Sequence, residues 1–274
     1  MLTQIPSAPP SRWSRLITWV DRHCLLFMSL FLLIFIPLYP KLPLFEAIPG
    51  YLVRVRLEDL LVLGAGLVWL AQVVRGRARW PRLILTWVII YAGLGLLSVI
   101  FAVLITRNIP LQPLHIGKSL LHYFRYLEYL MVFFLAFAGL TRIKHTSWAL
   151  LVLTLTVLLV SGYGFGQKYW HWPLYSTMNR EFSKGVKLYL TEYARVQSTF
   201  GGHYDLSAFL VICLPILGAA FLKQPRPLTK LMLIGCQVVG AATLVLTGSK
   251  TSWVAYILAM MVVIGLWWAQ KRRW

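Results

Sequence analysis

Eight apolar runs of roughly 18 to 23 residues divide this chain of 274 residues, and each is long enough to cross a hydrocarbon core about 30 Å thick. Backbone N–H and C=O groups inside lipid find no water. A spanning run therefore closes its own hydrogen bonds as a helix, or joins a barrel as an alternating strand. None of these runs alternates. The pattern predicts an all-α, polytopic transmembrane helical bundle of about eight helices, over 24–39, 57–74, 83–105, 119–140, 147–166, 205–222, 229–247 and 252–269. Charged residues are only 13% of the chain, about half the share in a soluble domain, too few to clothe a soluble surface.

Charge sets the expected orientation. Lys and Arg outnumber Asp and Glu 27 to 8. In a soluble chain that excess would suggest nucleic acid, but no compact basic domain exists here to hold a duplex, and no nucleic-acid partner is expected. Basic residues instead mark the cytoplasmic loops of membrane proteins. The gaps on the side of the N-terminus carry 15 Lys and Arg over short connections; those on the other side carry 11, including the longest loop. Both termini are thus expected in the cytoplasm, in one transmembrane domain spanning 1–274. It comprises a short N-terminal segment 1–23, a main outer loop 167–204 and a basic tail 270–274. Arg12, Arg15 and Arg22 precede the first run as in a signal peptide, but Pro37-Leu38-Tyr39-Pro40 follows in place of a small-residue cleavage site, so the first helix reads as uncleaved. Trp80, Trp87, Trp170, Trp172, Trp267 and Trp268 fall near run ends, as in an interfacial aromatic belt.

The three cysteines, Cys24, Cys213 and Cys236, lie within apolar runs. Neither they nor the six histidines show metal-ligand spacing, so neither a metal nor any other cofactor is expected.

Polar residues inside the runs are costly and therefore informative. His122, Arg125 and Glu128 share one face of the fourth helix. Either Arg125 and Glu128 form an internal ion pair, or Arg125 reaches an anionic group in a cavity open to the outer face. Glu58 and Asp59 open the second helix, where carboxylates suit the macrodipole. In the outer loop, Lys168, Arg180, Lys184, Lys187 and Arg195 accompany Glu181 and Glu192, and 188–196 is expected to form a short surface helix. The run Arg195-Val-Gln-Ser-Thr-Phe-Gly-Gly-His-Tyr-Asp205 leads into the sixth helix. Gly201 and Gly202 there permit tight turns beside a ligand, and Asp205 is a candidate N-cap. A helix start offers free N–H groups to an anion. On the same side, Thr247-Gly-Ser-Lys250-Thr-Ser252 turns between the last two helices, either as a solvated hairpin or as a second phosphate contact through Lys250.

The segments RVQSTFGGHYDLSAFLVICLPIL and LTGSKTSWVAYIL, with VRLEDLLVL in the second helix, resemble the O-antigen ligase and O-antigen polymerase superfamily. The resemblance implies a membrane glycosyltransferase of the bacterial inner membrane. Such an enzyme moves a glycan from a polyprenyl pyrophosphate carrier to a lipid or glycan acceptor at the periplasmic face, without a metal. Arg195 matches the family's motif arginine. Lys250 stands where the family carries Arg, and His203 where Asn is usual. The resemblance makes Arg195, Lys250, Arg125, Gly201 and Gly202 the candidate pyrophosphate-binding residues, and His203 the nearest candidate base. It further implies that a C-terminal part, with a large outer loop bearing a histidine, is lacking here. Two rival readings are a non-enzymatic transporter of lipid-linked glycans and a structural membrane subunit of a polysaccharide assembly complex.

Overall fold

The computed structural model describes residues 12–45, 55–175 and 186–272. They form eight long helices and one short two-stranded ladder. The helices are α1 (Arg12–Leu38), α2 (Leu57–Val74), α3 (Arg82–Leu104), α4 (Pro113–Gly139), α5 (Ile143–Tyr169), α6 (His203–Lys223), α7 (Pro227–Leu246) and α8 (Lys250–Lys271). The strands β1 (Pro43–Phe45) and β2 (Val55–Arg56) pair antiparallel in the α1–α2 connection. Seven of the helices, α2 to α8, are long and apolar enough to cross a membrane; α1 contributes a shorter apolar stretch, His23–Leu38. The chain is an all-α, multi-pass membrane protein.

The helices outrun the apolar windows. Pro113 and Pro227 sit at the first turns of α4 and α7, where a missing N–H costs nothing. Each helix thus begins before its apolar run. α1 begins at Arg12, well ahead of the expected 24, and α5 runs on to Tyr169. The long connection is therefore 170–202.

Two cores hold the bundle. One gathers Leu25, Leu32, Val62, Ala65, Trp69, Phe134 and Leu135 from α1, α2 and α4. The other gathers Val157, Val160, Leu206, Leu210, Leu214, Leu217 and Leu244 from α5, α6 and α7. α1 joins them by packing on both α4 and α5. Small residues bring backbones close, as membrane helix pairs require: a Cβ on Gly139 would stand 2.7 Å from the Leu25 carbonyl oxygen. Ser29 ties the same contact, donating to the Leu25 and Leu135 carbonyls. α3 buries only Val103, and α8 buries no residue, so both present apolar surface outward.

Thr199 Oγ1 donates to Pro37 C=O and Val196 N–H to Leu246 C=O, so the α1–α2, α5–α6 and α7–α8 connections share one end of the bundle.

Candidate functional site

At that shared end the 186–202 segment lies against α5 and the α7–α8 turn. It is not helical over 188–196. Its backbone groups are taken by distant partners: Leu174 N–H donates to Leu188 C=O, and Val196 N–H to Leu246 C=O at 3.1 Å. With the Leu188 carbonyl and the Val196 N–H engaged this way, the segment does not close a ladder of i→i−4 bonds. Fully buried Gln167 on α5 fixes the next turn. Its amide donates to Ser198 C=O at 2.9 Å, and its carbonyl accepts Ser198 N–H at 2.8 Å. Ser198 Oγ donates to Val160 C=O, and Thr199 Oγ1 to Pro37 C=O. Ser198 has φ +55°, a left-handed conformation that costs an L-residue about 1–2 kcal/mol and that these bonds hold in place.

The anchored segment presents Arg195 to the α7–α8 turn. Gly248 has φ +64°, and a Cβ there would stand 3.2–3.3 Å from Arg195 Nε, Cδ and Cγ. The left-handed dihedral favours glycine at this position, and a Cβ there would crowd the side chain lying across it. Arg195 Nη1 donates to His203 Nε2 at 3.1 Å. A guanidinium only donates, so His203 accepts with Nε2 and carries its proton on Nδ1. In this tautomer the Nε2 lone pair of His203 is turned to Arg195 and orients the guanidinium. Lys250 is the first residue of α8, on the same turn, and its side chain is exposed, as is that of Arg195. Lys168 donates to the Glu192 carbonyl nearby.

No protein-family profile, curated protein or solved structure matches the chain.

That geometry corrects several expectations. The chain bends at Gly201 and Gly202 as expected of a turn, while the positive φ values on these two turns fall at Ser198 and Gly248. Asp205 is not the N-cap of α6. Gly202 holds that place, and Asp205 lies in the first turn. Its Oδ2 sits 3.4 Å from where a Gly201 Cβ would stand, so the helix start already faces a carboxylate of its own chain. The α7–α8 turn is not a solvated hairpin: Thr247 and Ser249 are buried. The hydroxyls of Ser249, Ser252 and Ser207 form a chain at 2.7 and 3.0 Å leading into the α6–α8 contact. Arg180, Glu181 and Lys184 of the loop, the side chains of Arg12, Arg15 and Arg22, residues 1–11 of the N-terminal segment and residues 273–274 of the tail lie outside the described residues.

Arg125 belongs to a different cluster. It donates to Asp59 Oδ2 on α2 at 2.7 Å, and α4 packs on α1, α2 and α3 rather than on the helices that flank Arg195. Asp59 Oδ2 also accepts the Arg56 N–H at 2.9 Å, which is the reach-back bond of a helix N-terminus. Glu58, 1% exposed, is bound by Lys41 and by Arg56. Burial pushes the Lys41 ammonium below its usual value, against the opposing pull of the Glu58 carboxylate. The expectation of macrodipole complementarity for Glu58 and Asp59 named only part of their work, because Lys41 and Arg125 arrive from other elements. Gln167 and Ser198 carried no recognisable signal in the sequence: one Gln at the end of an apolar run and one Ser in a loop look ordinary.

Proposed function

We propose that the chain is a membrane glycosyltransferase of the O-antigen ligase and polymerase type. It moves a glycan from a polyprenyl pyrophosphate to a lipid or glycan acceptor at the periplasmic face of a bacterial inner membrane. One observation carries the reading. The two segments on which the resemblance rests touch each other, with the Arg195 side chain lying across Gly248. Two exposed cations, Arg195 and Lys250, then share one end of the bundle.

In the proposed reaction the acceptor hydroxyl oxygen attacks the anomeric carbon. The bond from that carbon to the phosphate oxygen breaks, and its electron pair leaves with the pyrophosphate. Arg195 and Lys250 stabilise the charge growing there, Arg195 through two parallel N–H bonds and Lys250 as a point charge. The hydroxyl proton passes to a base other than His203, whose Nε2 is held by Arg195; His203 is a positioning residue.

The test is binding of a polyprenyl pyrophosphate to the chain in nanodiscs, followed by glycan release from the lipid-linked donor. Arg195→Ala is expected to weaken binding by about tenfold or more, the effect of losing one charge-assisted contact of about 1.5–3 kcal/mol. Gly248→Ala is expected to weaken it in the same direction by displacing the arginine. Wild-type affinity in the Arg195→Ala, Lys250→Ala double variant would overturn the reading, as would labelling of position 195 solely from the cytosolic side.

A further inference from the structure

The end of the bundle opposite Arg195 carries a second site. Between His145 and Gln167, α5 runs about 33 Å, so the two ends lie about one hydrocarbon thickness apart. Asp21 is the one acidic residue in the sequence of that end, among 15 Lys and Arg. The start of α1, the end of α2 and the α4–α5 connection enclose a cavity there of about 590 Å³, within the range of small-molecule sites, about 300–1,000 Å³. Its polar lining is Asp21, His23, Gln72, Arg77, Thr141 and His145.

These groups divide into donors and acceptors. Asp21 is already engaged: Arg77 and Arg75 pair with it, Arg75 at 3.7 Å, and Gln72 donates to its Oδ1 at 2.7 Å. Two guanidiniums against one carboxylate leave a positive charge at the cavity. Arg77 keeps further N–H groups beyond the one on Asp21, and the exposed Thr141 hydroxyl adds another donor. The two histidines offer acceptors. His145 Nδ1 is bonded to Gly139 C=O at 3.2 Å, and His23 Nδ1 to Trp19 C=O at 2.9 Å. A carbonyl only accepts, so each Nδ1 carries the proton and each neutral ring keeps its lone pair at Nε2. Neither Nε2 has a partner among the described residues. His145 is only 8% exposed, and at such burial an unanswered acceptor is costly unless the cavity it lines supplies a donor.

We propose that the cavity binds a phosphate ester carrying free hydroxyl groups, the chemistry of glycerol phosphate, as the headgroup of phosphatidylglycerol or as the free ester. The phosphate oxygens accept from Arg77 and Thr141, charge assisting the first of these bonds. The hydroxyls donate to His23 Nε2 and His145 Nε2. An anion without hydroxyls would leave both imidazoles unanswered. An amine or a metal cation would meet two guanidiniums and a carboxylate that they already hold.

The full chain is reconstituted in nanodiscs holding equal parts of phosphatidylglycerol and phosphatidylmethanol, a diester of the same charge without hydroxyls. The lipids retained after detergent exchange are counted by native mass spectrometry. In parallel, glycerol 1-phosphate and methyl phosphate are titrated calorimetrically into the chain in phosphatidylethanolamine nanodiscs. The hydroxyl-bearing member of one pair is expected to be preferred about two- to tenfold, the effect of a neutral hydrogen bond. Preference within the lipid pair alone assigns the headgroup, and preference within the soluble pair assigns the free ester. His145→Asn keeps an amide donor for Gly139 C=O but removes the Nε2 acceptor, and is expected to abolish the preference. Arg77→Gln is expected to weaken both members of the pair alike, by about tenfold or more. Arg195→Ala, at the other end, is expected to change neither, so failure here leaves the pyrophosphate reading untouched. Equal binding within both pairs, or a preference that survives His145→Asn, would overturn the proposal.

Discussion

Replacing Gln167 with Leu should release the segment that carries Arg195 while leaving the helices intact. Gln167 is completely buried and makes two bonds to the backbone of Ser198, at 2.8 and 2.9 Å. Leucine is close in volume and adds no clash, so the change removes polar partners and little else. It strands the Ser198 N–H and weakens the hold on its carbonyl. Each buried group left unsatisfied costs about 1–3 kcal/mol. Ser198 is already in a left-handed conformation, which costs about 1–2 kcal/mol and is tolerated only while its surroundings insist on it. A loss of about 2–4 kcal/mol in the local opening free energy corresponds to a fall of about 30- to 700-fold in amide protection. Hydrogen exchange read by mass spectrometry in nanodiscs measures this directly on a peptide containing Val196, Ser198 and Phe200, whose N–H groups are all bonded in the structure. Lys168→Ala, at the neighbouring position, removes only a peripheral bond to the Glu192 carbonyl and is the control. A Gln167→Leu protein whose 196–200 amides kept their protection within about threefold would contradict the role given to this residue. At that level the change is below about 0.7 kcal/mol.

Ser198 itself separates strain from bonding. Ser198→Ala loses the bond to Val160 C=O and keeps the strain, so thermal unfolding should show a loss of about 1 kcal/mol. Ser198→Gly loses the same bond but relieves a left-handed dihedral by a similar amount, so it should lie closer to wild type; the reverse order would refute the strain. Between α1 and α4, Gly139→Ala puts a Cβ 2.7–2.9 Å from the Leu25 backbone and Ser29 Oγ and should destabilise by about 1–3 kcal/mol. Gly64→Ala, with nothing within 4 Å, should unfold as wild type does.

The helices were legible because lipid leaves the backbone few options. Apolar length alone placed α2 at Leu57–Val74 and the other spans close to their apolar runs. What failed was whatever depends on a partner remote in sequence. The expectation of a helix at 188–196 followed local composition, yet Leu188 and Val196 use their backbone groups on Leu174 and Leu246. Arg125 offered two readings from one helix face, and the structure chose a third, Asp59 on another helix. Glycine was read as a turn former at 201 and 202, where the chain does bend, but nothing local marked Gly248, whose left-handed dihedral and contact with Arg195 appear only in the fold.

The same contrast bears on which parts of the candidate site are built and which are merely near. Arg195 is fixed from three directions. Val196 is bonded to the end of α7, Ser198 is bonded to Gln167 and Val160, and the guanidinium is bonded to His203. A surface arginine that only neutralised charge would need none of this, since its long side chain loses rotamer entropy on being held. Among the described residues Lys250 has no comparable support; it is exposed at the first residue of a helix. The investment of buried polar bonds in the position of one cation marks Arg195 as the group whose placement matters. A preorganised donor is what electrostatic stabilisation of a leaving group demands. On this argument Arg195→Lys, which preserves the charge but not the planar fork, separates the two roles: a charge requirement survives it, and a geometric one does not.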